Sequence, residues 1–304
     1  MESYDWRGVF PAITTPFSAD LSVDHAALRA HVSWLVDQGA RGIIALGSLG
    51  EAATLAPGEK IKVLETCRAA ASTRVPVIAG ISALSTADAT ALATGAQAAG
   101  CDGLMVLPPY VHHGDWRETR AHVDAIIAAT PLSCMLYNNP IAYGTDFLAT
   151  HIEELTRHAN LHAVKESSGD VRRITAIRER LGDRLAIFVG LDDLIVEGVH
   201  AGAVGWVAGL VNALPAESIR LFALAAERNT QETRALYDWF LPLLRLDTVP
   251  KFVQLIKLVQ QEVGRGTERV RPPRLVLAGA EREDALALIR HHLSMAGHGN
   301  QAAR

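Results

Sequence analysis

Residues 133–170 read SCMLYNNPIAYGTDFLATHIEELTRHANLHAVKESSGD. A short apolar run, Ser133 to Asn138, ends in the polar turn Asn139-Pro140. An amphipathic stretch follows, and a second apolar run, Leu161 to Glu166, closes the segment. Strand, crossover and strand in this order make a βαβ unit with parallel strands.

The same pattern extends in both directions. The apolar runs are Gly8 to Thr14, Gly42 to Leu46, Val75 to Ile81, Gly103 to Leu107, Ser133 to Asn138, Leu161 to Glu166, Leu185 to Val189 and Ala203 to Val207. Each is followed by a helical pattern. Asp24 can cap the helix that Gly39 closes, Pro57 suits a first helical turn, and Ser85 can cap the helix ending near Gly100. A doubly wound open sheet normally carries a Gly-rich phosphate loop after its first strand. Here that place holds TTPFSADLS. Eight regular units therefore favour closure into an α/β fold of the TIM (β/α)8 type over residues 1–229. A C-terminal helical appendage, residues 230–304, is expected to contain helices from Thr230 to Leu246, Val249 to Val263 and Glu281 to Leu293. PPRL at 272–275 reads as an extended link, and the tail GHGNQAAR as frayed.

Composition narrows the partners. The chain of 304 residues carries 29 Lys and Arg against 33 Asp and Glu, a net charge of −4 with the signs interspersed. No basic face or tail points to nucleic acid or an anionic membrane. Gly, Pro or charge interrupts every apolar run before membrane-spanning length, and MESYDWRGVF lacks the pattern of a signal peptide. Cys67, Cys101 and Cys134 form neither a CxxC pair nor a zinc spacing, and each lies in an apolar segment. They read as core residues of a cytoplasmic protein. The expected partners are a small molecule and further copies of the chain.

Barrels of this type place their chemistry at the C-terminal ends of the strands. At the sixth run, alternation puts Ala163, Lys165 and Ser167 on one face and Val164 and Glu166 on the other. If the first set points inward, Lys165 enters a confined apolar interior. Desolvation there disfavours an ammonium ion and favours a nucleophilic amine. The ordinary reading is a structural ion pair with Glu166 or a lysine reaching solvent. At the end of the neighbouring fifth run, Tyr137 could move protons to and from a carbinolamine, or could be a plain buried tyrosine. Asn138, Asn139 and Pro140 need only be a turn. The second run ends in GSLGE, residues 47–51. Gly47 and Gly50 allow close backbone approach, Ser48 offers a hydroxyl, and exposed N–H groups there could hold a carboxylate. The histidine pairs His112–His113 and His291–His292 have no partner at zinc-ligand spacing, so no metal site is expected.

Together these motifs resemble the dihydrodipicolinate synthase and N-acetylneuraminate lyase family of Schiff-base barrels. The likeness runs from GVFPAITTPF through GSLGE, YNNP and VKESSGD to the C-terminal helices. It implies that Lys165 forms the imine, that Tyr137 relays protons, and that Ser48 is the first hydroxyl of the carboxylate loop. It matches Tyr110 to a tyrosine lent to a neighbouring subunit's relay, and Gly190 and Val207 to positions lining the pocket. It also implies a homo-oligomer, a dimer of dimers, with no cofactor beyond the covalent lysine imine.

Two departures bear on substrate. Leu49 stands where pyruvate-using members carry a threonine that holds the carboxylate. Ala142 stands where lysine-pathway synthases carry an arginine for the second substrate's carboxylate, so Asn139 and Ala142 frame an altered distal pocket. The pieces SSGDVRR at 167–173, GLDD at 190–193, GWVAG at 205–209 and the segment 246–258 look closer to 1-pyrroline-4-hydroxy-2-carboxylate deaminase, of hydroxyproline degradation. The resemblance thus implies deamination and dehydration of that cyclic imine to 2-oxoglutarate semialdehyde. A 2-keto-3-deoxy-sugar-acid aldolase or dehydratase and a 4-hydroxy-tetrahydrodipicolinate synthase are the alternatives. A non-enzymatic binding barrel is disfavoured by Lys165, Tyr137 and Ser48 occurring together.

Overall fold

The computed structural model describes residues 5–299. Eight strands form one parallel sheet: β1 Gly8–Pro11, β2 Ile43–Ala45, β3 Val77–Ile81, β4 Gly103–Val106, β5 Ser133–Asn138, β6 Leu161–Glu166, β7 Ala186–Val189 and β8 Gly205–Ala208. The order is β1-β8-β7-β6-β5-β4-β3-β2. Bonds from Arg41 N to Val9 O (2.9 Å) and from Ile13 N to Ile44 O (2.9 Å) join β1 to β2. The sheet is therefore a TIM barrel with helices between its strands, as the repeat predicts.

Alternation splits the apolar residues into two layers. Phe10, Ile44, Ile78, Met105, Met135, Tyr137, Ala163, Phe188 and Val207 pack inside the barrel. Val9, Ile43, Val77, Leu104, Leu136, Val164, Val189 and Trp206 face the helices. Gly205 and Gly42 leave room for large inner rings. A Cβ at Gly205 would lie 2.3 Å from Phe188, and one at Gly42 would lie 2.5 Å from Phe10.

The helix signals act as read. Asp24 accepts from Ala27 N at 2.9 Å, and Ser85 accepts from Asp88 N at 3.0 Å. Gly39 and Gly100 end their helices with positive φ of 101° and 82°. The C-terminal helices are Thr230–Leu244, Phe252–Glu262 and Gly279–Gly299. Their side chains Phe240, Leu243, Leu244, Val253 and Ile256 join the outer core layer. Two expectations change. PPRL contains a turn at Pro272–Pro273, closed by Arg274 N on Arg271 O at 3.0 Å, and no regular element follows it until Gly279. The tail is helical to Gly299, and residues 300–304 lie outside the described residues, as do residues 1–4 of the N-terminal stretch.

The three cysteines are free and buried. Burial pushes the Cys101 and Cys134 thiols up to about 12, with the Asp102 charge adding at Cys101. Among the described residues no helix is long and apolar enough to cross a membrane, and no group of three His, Cys, Asp or Glu residues could hold a metal ion.

Candidate active site

Lys165 and Tyr137 sit side by side because β5 and β6 pair with Tyr137 opposite Lys165. Both side chains are buried. Lys165 Nζ stands 4.1 Å from the centre of the Tyr137 ring, a cation–π distance. Glu166 points the other way. It accepts from Asn138 Nδ2 at 2.9 Å and from Ser168 N at 2.6 Å. Burial raises its pKa, against those hydrogen bonds. The ion pair between Lys165 and Glu166 is therefore not formed, and Lys165 has no ion pair among the described residues. Just after β7, a Cβ at Gly190 would meet Lys165 Cε at 2.6 Å and Ser167 Oγ at 1.9 Å, so the lysine stem lies in space that glycine leaves open.

A third tyrosine completes the cluster. Asn139 caps a four-residue helical turn, Pro140–Tyr143, by accepting from Ala142 N at 2.9 Å. That turn carries Tyr143 back over the barrel, where its ring is 5.8 Å from those of Tyr137 and Tyr110. The hydroxyls of Ser48 and Tyr143 are hydrogen-bonded. Asn139 Nδ2 donates to the Tyr137 hydroxyl at 3.0 Å. Burial raises the Tyr143 pKa, helped by Tyr137 and opposed by the bond to Ser48.

The loop after β2 is held from outside the pocket. Leu46 and Glu51, at its two ends, have φ of 63° and 56°, a left-handed backbone that non-glycine residues rarely adopt. Lys257 Nζ contacts Glu51 Oε1 at 2.5 Å and donates to Thr15 O at 2.8 Å and Arg269 O at 2.7 Å. Arg271 N donates to Glu51 Oε2 at 3.0 Å, and Thr15 Oγ1 to Gly50 O at 2.7 Å. A network remote from the pocket thus fixes where Ser48 stands.

Two carboxyls lie within the electrostatic reach of Lys165. Asp192, fully buried after β7, accepts from Trp206 Nε1 (2.9 Å), Gly209 N (3.1 Å) and Leu210 N (2.7 Å). Burial pushes its pKa up to about 6 against those donors and the Lys165 charge. Asp247 comes from the C-terminal region and lies against Gly209. Burial, then the Asp192 charge, raises its carboxyl well above the usual range, and Lys165 opposes this.

The chain matches the dihydrodipicolinate synthetase family over residues 5–292. It belongs to that family. A relative named "Probable 5-dehydro-4-deoxyglucarate dehydratase", from Bradyrhizobium diazoefficiens, is 33% identical over 93% of this chain and 91% of its own. A 4-hydroxy-tetrahydrodipicolinate synthase from Alcanivorax borkumensis is 34% identical over 79% of this chain and 81% of its own. The crystal structure of the chloride-inhibited dihydrodipicolinate synthase of Acinetobacter baumannii, complexed with pyruvate, superposes with a TM-score of 0.90. It is 28% identical, with 95% of this chain and 99% of that one covered. Members so named are lyases, synthases and dehydratases, so the family makes this chain an enzyme of that kind.

Within the family frame, the structure gathers Lys165, Tyr137, Ser48, Gly190 and Val207 at the C-terminal end of the barrel. Tyr110 is half-buried beside Tyr143 in the same chain. A cleft of about 430 Å³ lies outside the barrel mouth, lined by Ala53, Lys60, Ser82, Asp88 and Tyr110, so Tyr110 borders both spaces. Leu49 does not face the pocket: its side chain packs in the outer apolar layer, so only its backbone could meet a substrate. Asn139 serves Tyr137 and the turn. Ala142 is exposed at the rim. Gly50 is needed for packing, since a Cβ there would be 3.0 Å from Ile13 O, whereas Gly47 has ordinary room, 3.7 Å from Met105. Sequence reasoning did not give Tyr143 a place beside Ser48, nor Asp192 and Asp247 a place beside Lys165. The two aspartates stand in GLDD, residues 190–193, and in the segment 246–258, and only the fold brings those segments together.

Proposed function

We propose that this protein is a Schiff-base lyase that opens, dehydrates and deaminates 1-pyrroline-4-hydroxy-2-carboxylate, giving 2-oxoglutarate semialdehyde. One observation carries the reading: Lys165 is buried at the barrel mouth, free of any carboxylate ion pair among the described residues, with its amine over Tyr137. Lys165 Nζ adds to C2, and the ring nitrogen leaves C2 as a primary amine on C5. The iminium acidifies C3, because it accepts the electron pair released with the C3 proton. Tyr137, held by Asn139, and the Ser48–Tyr143 pair are the groups placed to carry that proton. The C4 hydroxyl leaves as water. Tautomerisation moves the double bond to C4–C5 and then to C5–N, where water releases ammonia. Hydrolysis at C2 frees Lys165. The lysine is itself the electron sink, so the reading requires no other cofactor.

The altered rim supports a single substrate. Ala142 offers no cation for a second carboxylate, and Leu49 offers no side-chain donor. The dehydratase relative supports a second reading, elimination of water from a 2-keto-3-deoxy sugar acid, which forms its iminium by losing water at C2 and then shares the steps from C3 deprotonation through loss of the C4 hydroxyl. Exposed Leu84 and Val111, near Tyr110, support a homo-oligomer in which such apolar residues are covered. A cytoplasmic location rests on the three free thiols.

Incubation with the hydroxypyrroline and borohydride should leave one reduced adduct on Lys165, and without borohydride should release ammonia. An adduct with a sugar acid and no ammonia from the pyrroline would move the assignment to the second reading. Absence of any adduct with either compound would remove the Schiff base altogether.

A further inference from the structure

Among the described residues, two of the buried side-chain oxygens without a hydrogen-bond partner are near Lys165: Ser167 Oγ and Asp247 Oδ1. Asp247 is the unusual one, because an unpartnered buried carboxyl oxygen is costly. Its position is informative. Gly205 and Val207 of β8 turn inward, and alternation gives Gly209, just past the strand, the same inward sense. A Cβ on Gly209 would lie 2.1 Å from Asp247 Oδ1 and 2.5 Å from Asp247 Cγ. The carboxyl therefore occupies the place of the side chain that Gly209 lacks, one pleat beyond Val207 at the mouth. It arrives there from the Arg245–Asp247 turn of the C-terminal region, a segment that belongs to no barrel strand.

The neighbouring Asp192 is saturated by three N–H donors, which favour its carboxylate form. Asp247 has no such donor and stands in the field of Asp192. Of the two carboxyls, the one without donors is therefore the one whose protonated form is favoured. A neutral carboxyl offers one O–H donor and one acceptor. That combination complements a hydroxyl, which accepts one hydrogen bond and donates another. It does not complement an apolar tail.

We propose that Asp247 is the specificity-determining residue of this site, taking the hydroxyl that the substrate carries two carbons beyond the imine carbon and giving it the proton with which it leaves as water. This deepens the dehydration reading above and rests on it. The C3–H bond breaks, its proton passing by way of Tyr137, and its electron pair forms the C2–C3 double bond of the enamine. That pair then forms C3–C4 as the C4–O bond breaks, and the iminium is restored. The departing oxygen takes the Asp247 proton, so water and an Asp247 carboxylate result. The carboxylate regains a proton from solvent while the relay returns the C3 proton to solvent.

The test uses the full chain with Asp247→Asn and Asp247→Ala, and three probes. Pyruvate has no distal hydroxyl, and both variants should form its borohydride-trapped adduct on Lys165 within about twofold of the wild type. The second probe compares adduct formation by 4-hydroxy-2-oxopentanoate and 2-oxopentanoate. Wild type should prefer the hydroxylated acid about tenfold or more, and Asp247→Ala should lose that preference. The third is turnover of the hydroxypyrroline. Asp247→Asn, which can bind a hydroxyl but not protonate it, should lose about a hundredfold in kcat with little change in KM. A wild type without the hydroxyl preference, an Asn variant with kcat within about threefold, or loss of the pyruvate adduct in both variants would overturn the proposal. A wild type with the preference but no turnover of any hydroxylated substrate would sink the dehydration reading and support hydroxyl recognition by Asp247.

Discussion

Gly190 and Lys165 show how single residues shape this site. A Cβ at 190 would stand 1.9 Å from Ser167 Oγ and 2.6 Å from Lys165 Cε. Gly190→Ala should therefore push the amine off its line over Tyr137. A displacement of about 1 Å can lower a rate by about a hundredfold. We expect a loss of that order in kcat with a melting temperature close to wild type, and an unchanged kcat would mean that the stem moves without moving the amine. Lys165→Ala should abolish both turnover and the borohydride adduct. The tyrosines make a sharper test of the relay. Ser48 is bonded to Tyr143, and Tyr143 packs against Tyr137. Tyr137→Phe should slow turnover by about a hundredfold. Tyr143→Phe and Ser48→Ala should each slow it, and the double variant should be no slower than the worse single one, because both remove the same bond. Additive losses in that cycle would place Ser48 outside the Tyr143 pathway. Lys165 and Tyr137 were legible because polar residues in apolar strands stand out. Tyr143 was not, because its position depends on the Asn139-capped turn, which spacing does not reveal.

Among the elements, the strands with clear punctuation were read to the residue. β5 and β6 run over the spans their turns predict, Ser133–Asn138 and Leu161–Glu166. β1 is shorter than its apolar run. Ala12 and Ile13 still bond to Ala208 O and Ile44 O, each at 2.9 Å, but beyond them Thr14 Oγ1 donates to Gln260 Oε1 at 2.9 Å instead. That partner is remote in sequence, so no local signal marks the strand's end. The loop after β2 has the same character. Gly47 and Gly50 suggested a binding loop, but its left-handed Glu51 is held by Lys257 from the Phe252–Glu262 helix. Both charged side chains are buried. Burial lowers Lys257 to about 8, against the pull of Glu51. Removing one partner strands the other charge, at a cost of about 3–5 kcal/mol. Lys257→Met should therefore reduce unfolding free energy by that order in denaturant titration and weaken substrate binding through Ser48. Lys257→Met with Glu51→Gln should recover part of the stability. A double variant as unstable as the single one would show that the lysine's bonds to Thr15 O and Arg269 O matter more than the ion pair.

At the scale of the whole molecule, a barrel must close, and one buried polar group ties three distant parts of the chain at its seam. Asn212, after β8, donates to Ala12 O and Gly209 O, each at 2.8 Å, and accepts from Thr14 N at 3.3 Å. Its Oδ1 also meets His31 Nε2 at 2.8 Å, from the first helix. Burial lowers the His31 pKa below its ordinary 6.5, the bond to Asn212 opposes this, and the Arg265 charge lowers it further. Well above pH 6.5 the imidazole is neutral in folded and unfolded chains alike and contributes no pH dependence. As pH falls below that value, the unfolded chain takes up a proton that the folded chain does not, so stability declines. His31→Gln keeps a donor toward Asn212 and does not titrate. Other groups, including His122 and His162, whose pKa values burial also lowers, are common to both proteins and cancel in the difference. Between pH 6.5 and 5.5 the wild type should therefore lose more unfolding free energy than His31→Gln, by at most about 1 kcal/mol. Parallel pH profiles for the two proteins would mean that His31 accepts a proton inside the closed barrel.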